Sequence, residues 1–110
     1  MNEIEINSVE QFKQEALDFD GITLIDFWAP WCSPCKMLGP IIHDVAEKYS
    51  ANPKVKILKV NVDENQELSA ALQIQSIPTV FLLSQGKIVD KLIGVRQTFE
   101  YEQKINTLLS

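Results

Sequence analysis

The chain has 110 residues, 45% of them hydrophobic and 23% charged, the balance of an ordinary globular protein. That length suits one domain spanning residues 1–110 and excludes two, as well as a collagen-like or low-complexity chain. Ten Lys and Arg against fifteen Asp and Glu leave a net charge of −5, which argues against nucleic acid or an anionic membrane surface as a partner.

The acidic start, Met1-Asn2-Glu3-Ile4-Glu5, lacks the positive region and apolar run of a signal peptide. No later run approaches the ~20 apolar residues that cross a bilayer. A cytoplasmic location is therefore expected. Ile4-Glu5-Ile6 alternates as a short strand. Ser8 and Gln11 have the spacing of a capping box, and a helix is predicted from Val9 to about Leu17, with Val9, Phe12, Ala16 and Leu17 inward. Asp20-Gly21 ends it.

Ile22 to Trp28 is a nearly continuous apolar run, the pattern of a strand buried on both faces; Asp26 is its one exception. A helix from near Cys32 to about Tyr49 places Leu38, Ile41, Ile42, Val45 and Tyr49 on one face, interrupted at Gly39-Pro40. Val55 to Val60 is a third strand. Asp63 is placed to cap a short helix with Leu68, Ala71 and Leu72 inward. Thr79 to Leu83 and Ile88 to Ile93 are two further strands, joined by a hairpin turn at Ser84-Gln85-Gly86-Lys87. Gly94 breaks the last strand. Thr98 is placed to cap a final helix that buries Tyr101, Ile105 and Leu108. The order β-α-β-α-β-α-β-β-α implies one mixed sheet with helices on both faces, because parallel neighbours need long crossovers.

The two cysteines, Cys32 and Cys35, stand three apart where a strand ends and a helix begins. Residues at that spacing share a helix face, so the sulfurs can meet. At the helix N-terminus, free N–H groups and the dipole favour a thiolate at Cys32. Cys35, a turn deeper, is expected to be less exposed. The pattern suggests that Cys32 attacks a disulfide and Cys35 resolves the mixed disulfide. Pro34 costs little near a helix start. A zinc site wants four ligands; two cysteines and His43 do not make one within a chain, and no metal is expected. His43 is given no role.

The segment Phe27-Trp28-Ala29-Pro30-Trp31-Cys32-Ser33-Pro34-Cys35-Lys36 resembles the active-site stretch of thioredoxins. Asp26, Pro40, Lys59, Asp63, the triplet Ile77-Pro78-Thr79, Gly86 and Gly94 also fall where that family has its marks, so the resemblance covers the whole chain. It implies an α/β thioredoxin fold: a five-stranded mixed sheet of order 1-3-2-4-5 flanked by four helices. It also implies a monomeric protein-disulfide reductase with no bound cofactor, whose electrons come from NADPH through a thioredoxin reductase. Ser33 departs from the Gly most common there. Its hydroxyl would either meet the Cys32 sulfur or cap the helix, and Ser33, Pro34, Lys36 and Lys59 are the expected tuners of the redox pair.

Asp26 interrupts a buried run, so its pKa should rise. The resemblance implies that it exchanges a proton with Cys35; the residues alone equally allow an ion pair with Lys59 or a carboxylate turned to solvent. For Ile77-Pro78, statistics favour trans, whereas the resemblance implies cis, with a backbone edge left open for an extended substrate. Trp31, Pro34, Val62, Ile77, Gly94 and Val95 match the family's apolar docking surface, although Val62 and Ile77 fit a core equally well. Trp28 is expected to pack beneath the site, and Gly94 to permit a close backbone approach. Two rival readings stay open: an oxidant, isomerase or glutathione-coupled relative, and a binding subunit whose redox chemistry is incidental.

Overall fold

The computed structural model describes residues 2–110; Met1 lies outside the described residues. The elements are β1 (Glu3–Glu5), α1 (Val9–Phe12), which continues as a π-helical turn (Lys13–Leu17), β2 (Ile22–Trp28), α2 (Ser33–Lys48), β3 (Val55–Asn61), α3 (Gln66–Ala71), β4 (Thr79–Ser84), β5 (Lys87–Ile93) and α4 (Thr98–Leu109). They form a five-stranded sheet of order β1-β3-β2-β4-β5. β1 and β2 run parallel to β3, while β4 runs antiparallel to β2 and β5 to β4. This is the predicted thioredoxin fold.

β2 lies in the middle because its sequence allows nothing else. Ile22 to Phe27 are all buried, as an apolar run must be if both sheet faces are covered. Its even residues Ile22 and Leu24 pack with Leu38, Ile42 and Val45 of α2 and Tyr101 and Ile105 of α4. Its odd residues Ile25 and Phe27 pack with Phe12 and Ala16 of the first helix and Leu68 of α3. The two-residue period of a strand thus sorts one sequence into two cores.

Several local details depart from the sequence expectation. The Ser8 hydroxyl caps Gln11 N–H at 3.0 Å, but the Gln11 side chain accepts from Asn7 N–H at 2.7 Å rather than from Ser8. Val9 and Leu17 are exposed, not inward. The bond from Asp18 N–H to Lys13 carbonyl, 2.8 Å, closes a five-residue turn, and that wider turn rotates Leu17 off the face set by Phe12 and Ala16; Val9 is the exposed first residue of α1. α2 runs through Gly39-Pro40 without interruption. Pro40 is exposed, and its missing N–H leaves one carbonyl of the preceding turn without a helical partner.

Asp63 does not cap α3. The helix begins later, after Asn65, and Ala71 points outward. Thr98 is the first residue of α4 rather than its cap. Gln97 takes that position, its N–H bonded by the Glu100 carboxylate at 3.0 Å.

The β4–β5 turn is a two-residue hairpin with positive φ at both Gln85 (53°) and Gly86 (79°), the twist that antiparallel strands favour. A Cβ at Gly86 would also collide with the Leu17 carbonyl. Gly94 has the same hand of backbone, φ 87°, but a Cβ there meets nothing within 4 Å. Its requirement is therefore dihedral, and the close approach expected from sequence is absent. Gly94→Ala should cost about 1 kcal/mol in urea unfolding, the strain of one left-handed residue. Gly86→Ala should cost about 2 kcal/mol or more, because the collision adds to the same strain. Equal losses would show that the Leu17 contact is soft.

Candidate active site

β2 ends at Trp28 and α2 begins at Ser33, and the four-residue link delivers the cysteines to the helix N-terminus. Cys32 is the helix cap. Its backbone is extended, φ −91° and ψ 109°, and its sulfur accepts from Cys35 N–H at 3.3 Å. The sulfur thereby occupies the place where a side-chain acceptor satisfies an unpaired helical N–H. Ser33 is the first helical residue and is exposed; the capping role open to it from sequence is already filled by Cys32. Cys32 and Cys35 are joined in a disulfide, their Cα atoms 5.2 Å apart. Both residues are 5% exposed, so burial does not rank them in the order expected from sequence.

The disulfide packs with Ala29, and Trp28, Val62 and Ile77 lie against it half-buried. Two other chain segments are tied to this point. Val62 N–H donates to the Trp28 carbonyl at 2.9 Å, and Gly94 N–H donates to the Pro78 carbonyl at 2.9 Å. The Ile77-Pro78 bond is cis, and the Ile77 carbonyl oxygen lies 3.8 Å from the Cys32 sulfur. Pro78 itself is buried. Around the sulfurs, Trp31 is 68% exposed and Val95 37%, and Pro34 and Lys36 are also exposed. The residues nominated as a docking surface therefore divide. Trp31, Pro34 and Val95 face outward, Val62 and Ile77 border the disulfide, and Pro78 and Gly94 join the loops beneath.

Trp31 is not loose despite its exposure. Its Nε1–H donates to Asp63 Oδ2 at 2.9 Å. This pairing joins residues 32 apart in the chain, and no local spacing rule finds it. It also explains what Asp63 does in place of capping a helix.

Asp26 is 1% exposed, and its even position puts it on the face of Ile22 and Leu24 that α2 and α4 cover. A carboxyl turned to solvent is ruled out. Lys59 is its partner across the strand pair, but the ammonium lies over the Trp28 ring, 4.8 Å from its centroid. Lys59 therefore acts on Asp26 through space. Burial lifts the Asp26 pKa from its ordinary 3.8 to about 7; Lys59 opposes the rise and Glu5 adds to it. Among the described residues no group of three or more His, Cys, Asp or Glu is arranged to hold a metal ion. The arrangement joins a thiol–disulfide pair at a helix N-terminus to a buried acid that titrates near neutral pH. It can form and break a disulfide.

The thioredoxin family model matches residues 3–107. Thioredoxin 1 of Nostoc sp. is 46% identical over 83 residues, 76% of either chain. The thioredoxin of Porphyra purpurea is 39% identical over 99 residues, 90% of this chain and 91% of its own. Among solved structures, a mutant thioredoxin from Halobacterium salinarum superposes with a TM-score of 0.87 at 28% identity, covering 99% of this chain and 92% of its own. A Malassezia sympodialis thioredoxin gives 0.85 at 31% identity, covering 100% and 94%.

The buried acid makes stability depend on pH. Because the folded pKa is the higher one, the native state holds the proton that the unfolded chain releases. The stabilisation is complete below pH 4 and is lost as pH rises through about 7. One pKa unit is about 1.4 kcal/mol, so the fully ionised carboxyl withdraws on the order of 4 kcal/mol. Asp26→Asn should raise the unfolding free energy of the oxidised protein, measured in urea at pH 8, by up to that amount and leave it unchanged at pH 3.5. A loss of stability at pH 8 would contradict a buried acid.

Proposed function

The chain belongs to the thioredoxin family, a thiol–disulfide oxidoreductase with the Cys32–Cys35 disulfide as its redox centre, and we propose that it works as a general protein-disulfide reductase. The observation that carries this reading is the placement of the pair: Cys32 caps α2, and a buried acid lies on the sheet face that α2 covers.

In the reduced protein the Cys32 thiolate is stabilised by the Cys35 N–H and the helix N-terminus. It attacks one sulfur of a substrate disulfide. A Cys32–substrate disulfide forms, and the substrate's other sulfur leaves as a thiolate. Asp26 takes the proton of Cys35, whose thiolate then attacks the Cys32 sulfur. The intramolecular disulfide forms and the second substrate sulfur leaves. Asp26 returns its proton to a leaving thiolate. Two electrons have passed to the substrate. An acid with a pKa of about 7 suits both directions of proton transfer near neutral pH.

Trp31, Pro34, Val62, Ile77 and Val95 supply the apolar surface that meets varied protein partners, and Pro78 and Gly94 hold the loops beneath it. Ser33, Lys36 and Lys59 tune the pair. The disulfide is the prosthetic element, with no bound organic cofactor. A thioredoxin reductase recycles it with electrons from NADPH, and the protein acts as a cytoplasmic monomer of one domain.

Two variants separate the roles of the sulfurs. Cys35→Ser should accumulate a covalent mixed disulfide with a protein-disulfide substrate, visible on a non-reducing gel and released by dithiothreitol. Cys32→Ser should trap none, and both should lose turnover. With thioredoxin reductase present, the intact protein should consume NADPH in proportion to the disulfide reduced. Recycling by glutathione alone would replace the reductase-coupled reading with a glutathione-coupled one.

A further inference from the structure

β5 is one of the two edges of the sheet. The other edge, β1, has three residues, whereas β5 has seven. A row of outward N–H and C=O groups on a long edge is a template for another strand. Two features already interrupt it. The β4–β5 register shifts between Leu82 and Leu83, and Gly94 turns the chain at φ 87°. The regular run that remains is Asp90 to Ile93.

Two bonds show which groups of that run are free. Gly94 N–H donates to the Pro78 carbonyl, and Gln85 N–H donates to the Gly21 carbonyl, both at 2.9 Å. Bonded and non-bonded residue pairs alternate along an antiparallel ladder. Leu92 and Asp90, in phase with Gly94, therefore bond to Val80 and Leu82 of β4. Thr79 and Phe81, in phase with Gln85, turn their backbone groups toward β2. Ile93 and Lys91 stand opposite them, so their own N–H and C=O groups point off the sheet.

One of these outward groups is taken. Lys91 N–H donates to Asp90 Oδ1 at 2.8 Å. The Lys104 ammonium of α4 donates to Asp90 Oδ2, also at 2.8 Å. The carboxylate is thus held between the edge and the neighbouring helix. A half-exposed ion pair of this kind adds little stability; its consequence is geometric. A strand that paired with β5 would have to take Lys91 N–H from the carboxylate and leave a charge at the join. Lys91 puts a second charge on the opposite face, its ammonium 6.0 Å from the Phe81 ring centroid.

We infer that Asp90 is an edge guard: its carboxylate, held by Lys104, closes β5 to a second copy of this chain. A copy fits the open run in an antiparallel register centred on Leu92. The outward groups of Lys91 then meet those of the copy's Ile93, and the reverse follows by symmetry. No like charges stand opposite, since Lys91 meets Ile93 and Asp90 meets Gly94. A register centred on Lys91 would oppose two lysines, and one centred on Ile93 would run past the turn at Gly94. Ile93, 50% exposed, would be covered by the pairing. The inference rests on the reading of the protein as a monomer.

The test is amide exchange by NMR, with mass by sedimentation, on the oxidised protein at rising concentration. In Asp90→Ala the mass should climb toward that of a dimer, and Ile93 N–H should gain about tenfold protection or more. In the wild type Ile93 N–H should exchange freely at every concentration. Asp90→Ala combined with Ile93→Pro should return to single molecules, because the proline removes a donor that the sheet does not use. Disulfide turnover by dilute Asp90→Ala should match the wild type, which shows that the variant is folded. Exchange at Ile93 in Asp90→Ala as free as in the wild type would overturn the inference. So would a dimer that persists in the double variant, or concentration-dependent protection of Ile93 in the wild type. Mass judges the monomer reading separately: a wild-type dimer with Ile93 N–H in free exchange ends that reading through another face, while the edge behaves as inferred.

Discussion

Strand β2 has neither a free edge nor a free face, and the rest of the molecule follows from that constraint. Its backbone is paired to β3 on one side and β4 on the other, so its peptide groups are satisfied without water. Its even and odd side chains each need a cover, which fixes helices on both sides of the sheet. α2 is one of these covers and starts four residues after β2 ends. The cysteines are therefore held at the junction of the most constrained strand and the longest helix. A disulfide exchange needs two sulfurs brought together repeatedly in one geometry, and this junction gives them little freedom to do otherwise.

The same strand carries Asp26, a charge where the fold would favour an apolar side chain. Two influences oppose each other there. Burial drives the carboxyl toward its neutral form, and Lys59 draws it toward its charged form. Burial wins because Lys59 is not in contact with the acid; its ammonium rests on the Trp28 ring. A contact ion pair would have pulled the pKa down and left an inert carboxylate. Holding the cation at a distance leaves the acid near neutrality, and the fold gives up stability at alkaline pH to keep it so. That is the pattern expected where a residue is retained for its chemistry rather than for packing.

The sequence reveals much of this because its strongest signals are periodic or local. The run from Ile22 to Trp28, the spacing of Leu38, Ile42 and Val45, and Gly86 in the hairpin each report on neighbours a few residues away. Cys32 and Cys35 are legible for the same reason. The departures share a different cause. Leu17 fits a helical period that the wider turn at Lys13–Leu17 does not keep, and Val9 is the exposed first residue of its helix. Asp63 reads as a cap because acids often are, yet its carboxylate is engaged by Trp31 from another part of the chain. Thr98 loses the cap to Gln97 because Glu100 can reach back to the preceding N–H. Tyr101 reads as one more buried aromatic, since nothing in a helical stripe announces that its hydroxyl is buried without a hydrogen-bond partner. Nor does spacing show the distribution of the nominated docking residues between an outward-facing group and a supporting one.

That distribution bears on how a buried sulfur meets a large partner. Cys32 is 5% exposed, too little for encounter by chance collision with the sulfur itself. On the reductase reading proposed above, recognition begins on the surroundings, and the most exposed aromatic beside it is Trp31. A free indole would be held in one rotamer only at an entropic cost on binding. The bond to Asp63 meets that cost in the unbound protein and fixes the ring beside the disulfide. The apolar ring face remains open to any partner, whereas its one polar atom is already satisfied. Contact there is selective for shape and apolarity rather than for a hydrogen-bonding pattern. Such a surface suits a reductase of many proteins, because what its substrates share is a disulfide and not a sequence around it.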